Sequence, residues 1–132
     1  MLPIQYRIVF AEDNLSISNV VLNSLSHKGY QVFHYPSGKG VIEGIWEHRP
    51  DLIILNVFLP FKDGFSILKE IKESRDISKI PVIFLTSSPD ENLDIEAKQL
   101  GVSDFILKPF TINDLNQKIR RILEPAAASE GD

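Results

Sequence analysis

Four short, uninterrupted apolar runs set the frame of this chain: Ile8–Ala11, Leu52–Leu55, Val82–Leu85 and Phe105–Leu107. Solid runs of this length, bounded by polar residues, mark strands buried on both faces of a parallel sheet. A weaker run at Val32–Tyr35 reads as an edge strand. Between the runs, apolar residues recur at helical spacing. Ile17, Val20, Val21 and Leu25 share one face, as do Val41, Ile42, Ile45 and Trp46. Leu68 and Ile71, then Leu93, Ala97 and Leu100, then Ile112, Leu115, Ile119 and Ile122 repeat the pattern. Five strands alternating with five helices, (βα)5, predict a doubly wound α/β sandwich.

Helix punctuation agrees with that count. Ser88-Pro89-Asp90-Glu91 offers a capping Ser, a Pro at the first helical position and a Glu at the third. Thr111-Ile112-Asn113-Asp114 offers a similar start, and Gly29 and Gly101 sit where helices should stop. The last stretch, Glu124–Asp132, is small and polar with no apolar face, so it reads as a linker stub or disordered tail. The expected division is a folded domain over residues 1–123 followed by that tail.

At 132 residues the chain has the length of one domain, and Leu, Ile, Val and Phe make up about a third of it, enough for a real core. Its net charge of −4, with no long basic run, argues against gripping a nucleic-acid backbone. The absence of cysteine excludes disulfides, thiolate metal sites and Cys nucleophiles. The longest apolar stretch, Leu52 to Leu59, is broken by Asn56 and far too short to cross a bilayer. No basic leader precedes an apolar segment at the N-terminus. A small, soluble, cytoplasmic domain is expected, with no membrane or direct nucleic-acid contact.

Function is written in the polar residues at the end of each buried run. Glu12 and Asp13 come after the first, Asn56 ends the third strand, Thr86 and Ser87 end the fourth, and Lys108 ends the fifth. The carboxyl ends of parallel strands line one crevice, where ligands bind at the switch point of strand order. Any one of these residues alone is more simply a solvated loop residue, but together they bring two acids, an amide, hydroxyls and an ammonium to one edge. Paired carboxylates with a backbone carbonyl make an oxygen-only site suited to Mg²⁺. The ammonium and hydroxyl then supply donors to phosphoryl oxygens.

The segments that carry these residues are Glu12-Asp13, PDLIILNVFLPFKDGF (50–65), FLTSS (84–88) and GVSDFILKPF (101–110). They closely resemble the receiver domain of two-component response regulators, over about residues 5–123, with every motif in order. The resemblance implies a flavodoxin-like sheet in the order 2-1-3-4-5. It implies that Glu12 and Asp13 form the acidic pair around Mg²⁺, with the Phe58 backbone carbonyl and position 56 completing the protein ligands. Thr86 would be the switch hydroxyl and Phe105 the aromatic whose rotamer follows it, although Phe105 also reads as an ordinary strand-end core residue. Lys108 would contact the phosphoryl oxygens, and Lys108–Pro109 resembles a peptide bond often cis in the family. The implied role is a signalling module and not an enzyme, taking a phosphoryl group from a histidine kinase or phosphotransfer protein. Its surface around the fourth helix, fifth strand and fifth helix would pass the signal to an output domain or a second copy.

Position 56 departs from the family pattern: the phosphoacceptor is an Asp, and this chain has Asn56. Amide resonance withdraws the electron pair that a carboxylate would donate, so aspartyl phosphorylation is expected to be absent. One of three negative charges is also lost. With carboxylates about 5 Å apart and an effective dielectric near 20, each like-charge pair costs on the order of 3 kcal/mol at most. A more stable empty pocket and weaker Mg²⁺ binding are expected. Asn56 is either a natural degeneration, leaving a phosphorylation-independent interaction module (a pseudo-receiver), or a replacement that locks the off-state. Glu12, Asp13, Thr86 and Lys108 all remain, which favours an engineered change or a recent loss over long drift. Deamidation is expected to be slow, because Val57 crowds the following amide.

Other patterns carry less. Gly38-Lys39-Gly40 with Gly44 has the spacing GxGxxxG after the second strand, which is neither the spacing nor the place of a dinucleotide fingerprint. Glu12-Asp13-Asn14 lacks the two acids one residue apart of aspartyl-phosphate phosphatases. His27, His34 and His48 share no ligand spacing, and Lys118, Arg120 and Arg121 complement the dipole of the last helix.

Overall fold

The computed structural model describes residues 4–87 and 90–125. The elements run β1 (Arg7–Ala11), α1 (Leu15–His27), β2 (Gln31–Tyr35), α2 (Val41–His48), β3 (Leu52–Asn56), α3 (Gly64–Glu73), β4 (Val82–Thr86), α4 (Glu91–Gln99), β5 (Asp104–Leu107) and α5 (Ile112–Leu123). Among the described residues the strands form one sheet in the order β2-β1-β3-β4-β5. Every neighbouring pair is parallel. The expected architecture is met.

Side chains of a strand alternate between faces, and the two cores divide accordingly. Ile8 and Phe10 of β1, Leu52 and Ile54 of β3 and Ile83 and Leu85 of β4 pack with Val21 and Leu25 of α1 and Leu115 and Ile119 of α5. Val9, Ala11, Ile53, Leu55, Val82 and Phe84 face the other way, against α2, α3 and α4. β3 and β4 are buried along their whole length, so both faces of these strands must be apolar.

Three expectations change. The run Phe105–Leu107 is not buried on both faces: β5 is the outer strand beside β4, and Leu107 is 50% exposed. A three-residue apolar run has no period long enough to tell an edge from an interior. Val20 is 53% exposed, although its spacing groups it with the buried Val21 and Leu25. α4 is capped by Asp90, whose Oδ1 accepts from Asn92 N at 2.9 Å, so its first helical residue is Glu91. Ser88 and Pro89 lie outside the described residues.

Other signals are met. Gly29 and Gly101 follow α1 and α4 with φ of +89° and +91°, the left-handed geometry that favours glycine. Thr111 Oγ1 accepts from Asp114 N at 3.1 Å and starts α5. Of the expected tail, residues 126–132 lie outside the described residues. Glu124 is tied into the fold, for its Oε2 accepts the Tyr30 hydroxyl at 3.0 Å.

Candidate functional site

The parallel register sets the site. Ala11 pairs with Leu55, Asn56 with Leu85, and Thr86 with Leu107. Glu12, Asn56, Thr86 and Lys108 therefore step across one edge of the sheet, at the ends of β1, β3, β4 and β5. Lys108 N donates to Thr86 O at 2.7 Å, continuing the ladder into the site, and the Lys108–Pro109 peptide beyond it is cis.

Glu12 is completely buried. Its Oε1 faces Lys108 Nζ at 2.5 Å, a contact of opposite charges with no donor aligned for a hydrogen bond. Its Oε2 accepts from Asn14 N at 3.0 Å and from Asn56 Nδ2 at 3.2 Å. The backbone is fixed as tightly: Glu12 N donates to Tyr35 O at 3.0 Å, and His34 Nε2 lies 3.0 Å from Glu12 O. That contact requires Nε2 to carry a proton, since a carbonyl only accepts.

Asn56 is 6% exposed, and its Nδ2 meets three oxygens. Asp13 Oδ1 is at 2.8 Å, Phe58 O at 3.1 Å and Glu12 Oε2 at 3.2 Å. With two N–H groups and three acceptors, one N–H is shared. The β3–α3 loop that presents Phe58 O is closed by Gly64 N donating to Val57 O at 2.8 Å. Asp63 Oδ1 accepts from Ser66 N at 2.8 Å and caps α3. At the loop's crest Phe61 takes φ of 70° with its ring 85% exposed.

Thr86 is buried beside these groups. Phe105 is half-buried and meets Phe84 edge-on at 6.4 Å and 69°, while Phe84 meets Phe65 of α3 at 5.2 Å and 69°. A row of aromatic rings thus runs from β5 through β4 to α3. On the other side of Lys108 an apolar groove of about 430 Å³ opens between α1 and the start of α5, walled by Ile17, Val20, Pro109 and Phe110. This groove is where the exposed Val20 lies.

All the expected site residues except Phe105 gather within this one network. Two contributors were missed. Asn14 was legible as a capping residue, and its Oδ1 does accept from Ile17 N at 3.0 Å, but its own N–H also holds Glu12. His34 gave no signal, because its link to Glu12 exists only across the β1–β2 pairing. The glycines after β2 serve packing: a Cβ at Gly44 would lie 1.9 Å from the Tyr35 hydroxyl. His27 and His48 end α1 and α2, away from the site. Among the described residues no helix is long and apolar enough to cross a membrane.

A parallel sheet in the order 2-1-3-4-5, with acids, an amide, a hydroxyl and a lysine along its carboxyl edge, defines a CheY-like member of the flavodoxin-like folds. The chain matches the response regulator receiver domain over residues 8–120, and it belongs to that family. It is 33% identical over 117 residues to the probable transcriptional regulator ycf27 of Galdieria sulphuraria, covering 89% of this chain and 45% of that protein. It is 32% identical over 117 residues to the transcriptional regulatory protein RprY of Bacteroides fragilis, covering 89% of this chain and 49% of that one. The chain therefore spans less than half the length of either relative. The chemotaxis protein CheY4 of Vibrio cholerae superposes with a TM-score of 0.84 at 25% identity, over 91% of this chain and all of that one. Receiver domains are typically non-enzymatic signalling modules of two-component systems. They generally bind Mg²⁺ and interact with histidine kinases or phosphotransfer proteins.

Proposed function

We propose that this chain is a two-component receiver whose phosphoacceptor position is held by Asn56, so that it does not take up a phosphoryl group from a histidine kinase. The observation that carries this reading is the side chain that ends β3. It is a buried amide with its NH₂ turned to Glu12, Asp13 and the Phe58 carbonyl, at the point of the sheet edge where the acids and the lysine converge. Acyl-phosphate formation needs a carboxylate oxygen to donate an electron pair to phosphorus. An amide oxygen shares its electrons with nitrogen and would acquire positive charge on attack. The surrounding groups keep the roles of the family. Thr86 and Lys108 stand where they would contact a phosphoryl group carried by an Asp at position 56, Phe105 is the switch aromatic, and the apolar groove beside Lys108 is the surface offered to a kinase or phosphotransfer partner.

The test is intact mass after incubation with acetyl phosphate and Mg²⁺, on this chain and on Asn56→Asp side by side. Gain of one phosphoryl group, about 80 Da, by the Asn56→Asp chain alone is the expected result. Gain by the parent chain overturns the reading. Gain by neither shows that the surrounding groups do not support transfer, and assigns the domain to phosphorylation-independent docking.

A further inference from the structure

We infer that the Asn56 amide is a built-in substitute for the divalent cation of this site, holding the acidic loops together without Mg²⁺ and keeping the ion out. The inference builds on reading Asn56 as the residue at the acceptor position, and concerns how that same site is regulated.

The oxygens around Nδ2 come from separate segments: Glu12 and Asp13 after β1, and the Phe58 carbonyl after β3. All three are acceptors, so they repel one another unless something positive stands between them. In a metal-bound receiver that is the ion. Here it is the positive end of an amide. The orientation of the amide follows from its surroundings, because turning Oδ1 inward would set a fourth acceptor among three.

The spacing suits the amide and not the ion. The oxygens lie 2.8, 3.1 and 3.2 Å from the central nitrogen, the lengths of N–H···O bonds. Mg²⁺ draws its oxygens to about 2.0–2.1 Å and demands near-octahedral geometry. An entering ion would pull these oxygens inward by about 1 Å and expel an NH₂ that is buried and has its partners here. The charge left for it is also small. Glu12 Oε1 is already matched by Lys108, which leaves less uncompensated negative charge for an entering ion. With the Asn56 NH₂ between them, these oxygens do not fit the family's cation.

Thermal unfolding of the whole chain, in EDTA and in about 10 mM MgCl₂, tests this against Asn56→Asp and Asn56→Ala. The parent's Tm should be the same in both buffers. Asn56→Asp replaces the donor by a third carboxylate, so its Tm in EDTA should fall below the parent's and rise by on the order of 4 °C with Mg²⁺. Asn56→Ala removes the donor without adding charge. It should also lose stability in EDTA and gain with Mg²⁺, and it carries the test alone if Asn56→Asp does not fold. A Mg²⁺ response of the parent equal to that of the variants overturns the inference. So does Asn56→Ala matching the parent in EDTA, or an absence of any Mg²⁺ response in the variants. No arm involves phosphoryl transfer. A parent that responds to Mg²⁺ but gains no phosphoryl mass overturns this inference and leaves the acceptor reading standing, whereas a mass gain overturns that reading by itself.

Discussion

Lys108, at the end of β5, reaches across β4 and β3 to Glu12 at the end of β1, closing to 2.5 Å between Nζ and Oε1. Glu12 is completely buried and the Lys108 side chain is 14% exposed, so the pair is only weakly screened by water. Removing one partner strands the other. Lys108→Met is expected to lower unfolding stability by on the order of 3 kcal/mol, measured by urea denaturation. Adding Glu12→Gln should restore most of the loss, because the neutral amide no longer needs a cation. A single variant as stable as the parent would show that Glu12 is compensated by its hydrogen bonds alone.

Phe61 holds a left-handed backbone, φ 70°, while its ring lies 85% exposed. A residue with a Cβ meets steric opposition there of about 1–2 kcal/mol, and Asn tolerates the region better than Phe. Phe61→Asn should raise the urea midpoint by an amount worth about 0.5–1 kcal/mol, with an unchanged m-value. A lowered midpoint would mean that the ring is packed more usefully than its exposure indicates.

Gly64 and Gly29 resist substitution for different reasons. A Cβ at Gly64 would lie 2.6 Å from Asn56 O and 3.0 Å from Val57 Cα, both backbone atoms that cannot swing aside. Gly64→Ala should cost about 2–3 kcal/mol and displace the Asn56 backbone, seen as shifted amide resonances at residues 56–58. At Gly29 nothing lies within 4 Å, and only φ of +89° opposes a side chain. Gly29→Ala should cost about 1 kcal/mol and leave the site resonances in place.

The Tyr30 hydroxyl is pushed up to about 12 from its usual 10, first by burial and then by its hydrogen bond to Glu124. Because the folded chain holds this proton more firmly than the unfolded chain, the contribution is fully present below pH 10. It is lost as pH rises from 10 through 12. Burial and the nearby Glu47 and Glu43 raise Tyr35 as well, so tyrosinate absorbance should show a late-titrating component of which Glu124→Ala moves only the Tyr30 part, towards 10 but not fully to it, since burial remains the larger cause. A Tyr30 titration unmoved by Glu124→Ala would assign the whole shift to burial.

The central strands were legible because burial on both faces leaves no polar position for a run to include, as at Leu52–Leu55 and Val82–Leu85. β5 was legible as a strand but not as an edge, since three apolar residues read alike at an edge or an interior. Val20 shows a different limit: helical spacing puts a residue on a face but does not say where the neighbouring element stops, and the groove against Pro109 and Phe110 leaves that part of α1 uncovered. The meeting of Glu12, Asn56, Thr86 and Lys108 at one sheet edge was legible because strand ends converge by topology, whatever their side chains do afterwards. Their partners were not. That one amide nitrogen would serve Glu12, Asp13 and Phe58 O together, or that His34 would meet Glu12 O, depends on distances of a few tenths of an ångström that no spacing encodes.

The partnership between Glu12 and Lys108 also has a calendar. The acid leaves the ribosome about a hundred residues ahead of its counter-ion, which at about 5–20 residues per second is a wait of roughly 5–20 seconds. Throughout that interval β1, a central strand, ends in a carboxylate with no ammonium to bury it against. The nascent sheet can zip from β2 to β4, but its acidic corner stays wet until the last strand arrives. The site is thus completed only once β5 has been made, and a chain cut short before Lys108 carries an unmatched charge at its heart.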